Sequence, residues 1–424
     1  MRRQFVFLVV ALLFLPGLPI AAARAQVGGP APSTPTVEIP ASPVGDQLVW
    51  VLAQLNGGAM DLTEANVQAR FAPAFLTHVL PAPVLLDLLR QTTAQYAPVT
   101  FAGFAFPPTA TGAVANIYLG TRGQAAIYVT VEPELPHRMT RLDLSEAPAP
   151  PSPTGRRVDI GGRALYLDCR GSGGPSVVLE GGISSDWAAV QPAVARFTRV
   201  CSYDRPDSPG SRSDPVPQRT AQEVVADLRS MLTAAGESRP FVLVGHSLGG
   251  LYVQLFAYQH PDEVAGLVLV DPTREEFSTR LADMLLALGT PIPSAPPEPD
   301  TDDVSFMQMR EARTSGPFPS VPLIVLSHGR SADPSERPPG WPIAEEERIW
   351  RELHAEIARM APNGRHIVAE ESGHDIPQEQ PELLVEAIQT IVNAARDART
   401  SATPAASPVV IPVASSSDRI NSAN

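Results

Sequence analysis

The stretch FVLVGHSLGGLYVQLFAYQHP, Phe241 to Pro261, passes from an apolar run to a helical pattern across one serine flanked by glycines. Gly245 and Gly249 stand two residues before and two after Ser247. In so tight a strand-to-helix turn only small residues fit at those two positions, and the strained turn lifts the serine oxygen clear of the sheet. The turn also sets Ser247 at a helix N-terminus, where free N–H groups and the dipole favour a developing negative charge. Such a turn needs a sheet covered by helices.

The rest of the chain supplies one. ALYLDCRG, SVVLEGG, RVCSYDRP, GLVLVDP and PLIVLSHG are short β-branched runs, and intervening segments such as TAQEVVADLRSMLTAAG carry helical periodicity. Runs that are apolar on both faces imply a mainly parallel sheet with helices packed on it, so this block is expected to be an α/β domain. In such sheets the ligand site lies at the carboxyl ends of the strands.

A serine hydroxyl is a poor nucleophile near neutral pH and needs a general base, itself oriented by an acid. Of the eight histidines, His246 lies inside the turn with its side chain expected to point away from that of Ser247, and His260 follows the helix. His374, in HIVAEESGHDIPQEQPELLVEAIQTIV, is on a loop after a late strand and is the candidate base. The oxyanion formed by attack on a carbonyl needs two backbone donors. The candidates are the N–H groups of Leu248 and of Gly182, the latter in VVLEGGISSDW, where paired glycines let the backbone approach a substrate closely.

Taken in order, LEGG, YDRP…SRSD, GHSLGG, GLVLVDP and SGHDIPQEQPE resemble the α/β-hydrolase family over roughly Arg156 to Arg396. The resemblance implies an α/β-hydrolase fold and a triad in the chain order serine, acid, histidine. It does not select a substrate, because esterases, lipases, peptidases, lactonases, thioesterases and cofactor-free haloperoxidases share the pattern. Serine at the turn, rather than aspartate, argues against the family's epoxide hydrolases and haloalkane dehalogenases.

Two departures from the family pattern stand out. Where relatives commonly read D-R-x-G-x-G-x-S, this chain reads DRPDSPGSRSD, a longer loop that alters the pocket wall beside the oxyanion site. The acid's usual place is the loop after PLIVLSHG, where GRSADPSERPPG offers Asp333 one position late; Asp271, which ends GLVLVDP, is the other candidate. A strand end gives firmer placement than a Pro-rich loop, so Asp271 is preferred, with Asp333 as the alternative acid. The resemblance also puts Cys169 and Cys201 on the second and fourth strands, which are neighbours in the family. A disulfide and two buried thiols are then the competing expectations, export favouring the bond. A short lid is expected at about 272–320, with Leu281, Met284, Leu285 and Leu288 on an amphipathic helix.

Composition divides the rest. MRRQFVFLVVALLFLPGLPIAAARAQ has a charged start, an apolar run and a small-residue site near Ala25, so residues 1–25 are expected to be a signal peptide and the protein to be exported. Pro-rich linkers follow at 26–45 and 146–155, and a Pro- and Ser-containing tail at 399–424. They bound a small α+β domain at 46–145 and the hydrolase-like domain at 156–398. The first domain reads as helices followed by a small antiparallel sheet, and LTEANVQARFAPAFL looks like the cystatin or steroid-isomerase type of domain found before some exported serine β-lactamase-like proteins. A net charge of −13, with every basic side chain an arginine, argues against nucleic acid or an anionic membrane as partner, and no later segment has the length of a bilayer span.

The expectation is an exported serine hydrolase, foremost a carboxylesterase acting on small or medium esters through an acyl-enzyme. No cofactor and no metal are expected, since no cluster has ligand spacing. The expected partner is a small-molecule ester; oligomeric state is left open. The alternatives are a peptidase, amidase or lactonase of the same fold, with the acidic EPDTDD run as an amine anchor, and a non-enzymatic binding module with a relic site.

Overall fold

The computed structural model describes residues 38–402 except 121–122, 146, 150, 184–186, 209, 290–300, 335–336 and 338–339. The expected signal peptide, the first linker up to residue 37, the Pro-rich stretch of the lid and most of the tail lie outside the described residues.

The first block is built from helices α1 (Pro43–Leu55), α2 (Glu64–Arg70) and α3 (Ala82–Tyr96), then strands β1 (Val99–Phe104), β2 (Gly112–Leu119), β3 (Gln124–Val131) and β4 (Met139–Ser145). Helix α1 starts inside the expected linker because Ser42 caps it, its hydroxyl accepting the N–H of Gly45 at 3.1 Å. The strands form an antiparallel sheet in sequence order. One face, with Ala115, Ile117, Ile127 and Val129, packs on Val44, Leu48, Val51 and Leu55 of α1, the helical period meeting the strand period. The opposite face, with Val114, Ala126 and Tyr128, is also buried, because it lies against the second block.

That block holds strands β5 (Gly155–Asp159), β6 (Ala164–Arg170), β7 (Val177–Glu180), β8 (Val200–Asp204), β9 (Phe241–His246), β10 (Val264–Val270), β11 (Leu323–His328) and β12 (Arg365–Ala369). Among them run α4 (Gln191–Val194), α5 (Ala221–Ala234), α6 (Leu248–Gln259), α7 (Phe277–Ala287), α8 (Thr301–Ser315), α9 (Ile343–Ala358), α10 (Ile376–Glu379) and α11 (Pro381–Ala402). The sheet order is β12-β11-β10-β9-β7-β8-β6-β5, parallel from β12 to β8 and antiparallel where β6 joins β8 and β5 joins β6.

Alternation places Val178, Leu243, Leu267, Leu269 and Val325 on the face covered by α5 and α6, and Val177, Leu179, Val244, Val268 and Leu326 on the face covered by α11. Both faces are therefore apolar, as the runs in the sequence imply. Helix α5 begins with a Thr220–Glu223 capping box and buries Val224, Val225, Leu228, Met231 and Leu232. Cys169 and Cys201 face each other across β6 and β8 and are joined by a disulfide.

In the lid region α7 buries Leu281 and Leu285, but the apolar stripe stops there: Leu288 is 57% exposed. Helix α8 packs Met309 into the core beside α5 and α6, and Ser305 Oγ accepts the Ala221 N–H at 2.9 Å. Asp302, in the acidic run, accepts a hydrogen bond from Gln218 at 3.1 Å.

Candidate active site

Ser247 follows β9 directly and precedes α6, with φ 54° and ψ −123°, a backbone conformation disfavoured for a residue with a Cβ. The surrounding chain enforces it. A Cβ on Gly245 would come 2.5 Å from the Gly249 carbonyl oxygen, and one on Gly249 would come 2.5 Å from the carbonyl oxygens of Glu180 and Gly181. The glycines thus serve two ends, a tight turn and close packing against the Gly-Gly segment after β7. Gly182 is closer still to the serine, since a Cβ there would lie 2.8 Å from Ser247 Cβ. The Ser247 N–H donates to Val270 O at 3.0 Å, which ties the turn to the end of β10.

Asp271 is the next residue after β10, fully buried and itself at φ 43°. Its carboxylate is saturated with donors. Oδ2 accepts from His374 Nδ1 at 2.6 Å and from His328 Nδ1 at 2.7 Å, and Oδ1 accepts from Trp350 Nε1 at 2.9 Å and the His328 backbone N–H at 3.1 Å. Burial alone would raise this carboxyl, but the hydrogen bonds from His328 and His374 override it and hold the group well below the usual carboxylate range. Asp333, by contrast, is exposed on the segment beyond β11.

His374 lies between β12 and α10 with a side chain 51% exposed. With Nδ1 bound to Asp271, the other ring nitrogen, Nε2, is left for proton exchange. Two contacts steady its loop. His246 Nε2 donates to the His374 carbonyl at 2.8 Å, and Glu379 accepts the Gly373 N–H at 2.6 Å. Burial pushes His246 down to about 4, so it is a neutral ring with its proton on Nε2.

His328 closes a second chain of charge. Its Nε2 donates to Glu347 Oε2 at 2.7 Å. Burial opposes charge on this ring, yet the bonds to Asp271 and Glu347 push it up to about 10, so it is an imidazolium near neutral pH. Beneath it, His354 Nε2 donates to Pro272 O at 2.9 Å, which leaves its Nδ1 to accept from Ser327 Oγ at 2.6 Å. Burial lowers His354 to about 4, consistent with that neutral role.

At the other end of the site Arg205, buried after β8, donates to Glu180 Oε1 at 3.0 Å, Gly181 O at 2.8 Å, Gly182 O at 2.9 Å and Asp207 Oδ1 at 2.9 Å. The turn that carries Gly182 is therefore held by its carbonyls. A cleft of about 380 Å³ opens beside it, bordered by Gly182, Trp187, Ser208, Ser211, Arg212 and Gln378.

The segment 169–387, from the end of β6 to the first turns of α11 and including Ser247, Asp271 and His374, matches the family model described as "Alpha/beta hydrolase family". The chain belongs to the alpha/beta hydrolase family. This alpha/beta hydrolase is 26% identical over 246 residues to the uncharacterized protein YqjL of Bacillus subtilis (strain 168), a match covering 55% of this chain and 89% of that protein. Three other curated relatives are matched over only 15% to 38% of their own length. Among solved structures, it is similar to a thermophilic esterase from Thermogutta terrifontis, with 24% identity, a TM-score of 0.40 and coverage of 57% of this chain and 98% of that one. It is also similar to alpha/beta hydrolase domain-containing protein 10 from mouse, with 16% identity, a TM-score of 0.41 and coverage of 56% and 98%.

The fold brings Ser247, Leu248, Gly182, Asp271 and His374 to one edge of the hydrolase sheet and leaves Asp333 outside the cluster. Sequence reading missed His328, Glu347, Trp350 and Arg205. His328 had a signal, since it ends PLIVLSHG on β11, next to the strand that ends at Asp271. Glu347 and Trp350 are one helical turn apart on α9 and had none. Asp271, His328 and His374 each offer one atom within 4.8 Å of the others, which is ligand spacing for a metal ion. Those atoms are engaged in hydrogen bonds to one another, so a metal would have to displace two N–H···O bonds.

Proposed function

We propose that the protein is a serine hydrolase acting on small or medium carboxylic esters. Ser247 Oγ attacks the ester carbonyl while His374 Nε2 takes its proton. The oxyanion is stabilised by the N–H groups of Leu248 and Gly182, and the same imidazolium returns the proton to the departing alcohol. Water then enters by the same route, its oxygen bonding to the acyl carbon as its proton goes to His374, which passes it to Ser247 Oγ as the acyl–oxygen bond breaks and the acid leaves. Asp271 holds the imidazole in the tautomer with Nε2 free and stabilises its charged form.

The observation that carries this reading is the 2.6 Å bond between His374 Nδ1 and the buried Asp271 carboxylate, beside a serine held at positive φ. A relic binding site has no need of a strained serine and a saturated buried acid. Family membership supports hydrolysis in general, and the modest cleft favours small acyl groups. The signal-like N-terminus and the Cys169–Cys201 disulfide support export to an oxidising compartment.

Incubating the purified chain with a fluorophosphonate probe and then with p-nitrophenyl esters tests the reading. Native protein is expected to label and turn over, and Ser247→Ala to lose at least about a thousandfold in kcat with an unchanged Tm. Full ester turnover by Ser247→Ala sinks the assignment.

A further inference from the structure

The N-terminal domain contributes none of the groups above, yet its buried outer face has one pronounced feature. Thr130 on β3 is paired with Arg141 on β4, so Tyr128 and Arg141 share the face that meets the hydrolase block. Arg141 is only 6% exposed. Its guanidinium sits 5.3 Å from the Tyr128 ring centre, is paired with Asp143, and donates across the domain boundary to backbone carbonyls: Pro206 at 2.8 Å, Ser208 at 3.2 Å and Val216 at 3.4 Å. Tyr128, kept neutral because burial pushes its hydroxyl well up, donates to a fourth carbonyl, Ser211, at 3.2 Å.

All four carbonyls belong to the connection between β8 and α5, and those of Pro206, Ser208 and Ser211 lie in the part that departs from the family pattern. That stretch starts at Arg205, whose guanidinium holds the Gly181 and Gly182 carbonyls, and it supplies Ser208, Ser211 and Arg212 to the cleft wall. A loop with this many backbone acceptors turned inward has no regular structure of its own to fix it, and an arginine with five fixed donors is suited to gathering carbonyls. The path from Arg141 to Pro206 and then to the adjacent Arg205 and Gly182 is continuous through hydrogen bonds and one peptide link.

We propose that Arg141 is a positioning residue through which the N-terminal domain fixes the cleft wall at the oxyanion turn, so that the site's selectivity for acyl size is set by a domain holding none of the reacting atoms. The proposal rests on the reading of Ser247 and Gly182 as the reacting centre. Without the guanidinium the wall loosens: long acyl groups gain entry relative to short ones, and Gly182 loses its fixed orientation.

The test uses the full chain and the variants Arg141→Gln and Arg141→Lys, with active sites counted by fluorophosphonate labelling. Hydrogen exchange is followed in peptides spanning 181–183 and 205–216, and kcat and KM per labelled site are measured on p-nitrophenyl acetate, butyrate and octanoate. In Arg141→Gln, exchange in 205–216 is expected to rise about tenfold or more while β9 and β10 keep native protection. The octanoate-to-acetate ratio of kcat/KM is expected to rise about fivefold, with Arg141→Lys intermediate. If Arg141→Gln does not fold, Tyr128→Phe, which removes only the hydroxyl donor, is expected to shift both readouts in the same direction by a smaller factor. Unchanged exchange in 205–216, or per-site constants that fall by one common factor on every ester, overturns the proposal; a merely structural role predicts that common factor. Absence of both labelling and turnover in the native chain overturns the ester reading, and with it the selectivity claim, while the exchange arm still decides whether Arg141 holds the loop.

Discussion

The two ends of the site are held by opposite means. At the acid end, side chains from β11, α9 and the His374 loop converge on one buried carboxylate after β10, joined by a single backbone donor, the His328 N–H. At the oxyanion end, arginines gather backbone carbonyls, and one of them reaches in from another domain. Catalysis asks different things of the two: the base needs a defined charge and tautomer, whereas the oxyanion needs donors that do not move as charge develops. Charge is set by neighbouring charges, and immobility by tying down the chain.

Substitutions that probe each end separate these demands. The largest effect is expected from Asp271→Asn, which keeps the shape but favours the wrong tautomer of His374; kcat on p-nitrophenyl butyrate should fall about ten thousandfold. Asp333→Asn, on the exposed segment, should leave kcat within about twofold, and a large loss there would move the acid to the loop. Next, Gly182→Ala puts a methyl group 2.8 Å from Ser247 Cβ and shifts the oxyanion donor, so kcat should drop about a hundredfold with Tm little changed. Equal losses in KM and kcat in that variant would mean crowding of substrate rather than a displaced donor.

A smaller loss than at Gly182, and the sharpest test of how charge acts at the acid end, is expected from His328→Asn. The amide can still donate to Asp271, but the positive charge is gone. The charged and titratable groups facing this position are Asp271, Glu347, His354 and His374, with Arg351 acting on Glu347 and His366 linked through Ser327. Loss of the cation leaves more negative charge beside the base, so the acid limb of kcat/KM should move up by about one pH unit, with a loss in kcat below about tenfold. The same substitution has a stability signature. A histidine raised on folding contributes stability that is fully present below about 6.5 and lost as pH rises through about 10. Native Tm should therefore decline between those values, by about 5 °C, and His328→Asn should flatten the decline. A profile unmoved by the substitution would mean that His328 only packs.

Legibility in the sequence follows the same division. The parallel sheet is readable because its strands are apolar on both faces, and the turn at Ser247 because Gly245 and Gly249 have a steric reason to be glycine. Asp271 is readable as a strand-end residue. What escapes is whatever depends on contacts distant in sequence. Nothing in MTRLDLS marks Arg141 and Asp143 as facing inward; only the docking of a second domain buries that face. Arg205 lies in a loop whose departure from the family pattern is visible, but the carbonyls it collects are not. Glu347 and Trp350 sit on a helix 76 and 79 residues beyond Asp271, with no local pattern to mark them. The helix boundaries differ from expectation at Pro43, where a serine cap starts α1 early, for a local reason that can be seen in retrospect.

The 2.7 Å contact between His328 and Asp271 has one more consequence. Val270 and Leu326 are register partners, so Asp271, one residue further on, and His328, the last residue of β11, come together at neighbouring strand ends, a carboxylate pressed against an imidazolium. The resemblance puts the usual acid just after β11, on the neighbouring strand end. In this chain the β10 end carries the carboxylate and the β11 end a cation, so the neighbouring strand end supplies the charge that offsets the buried acid.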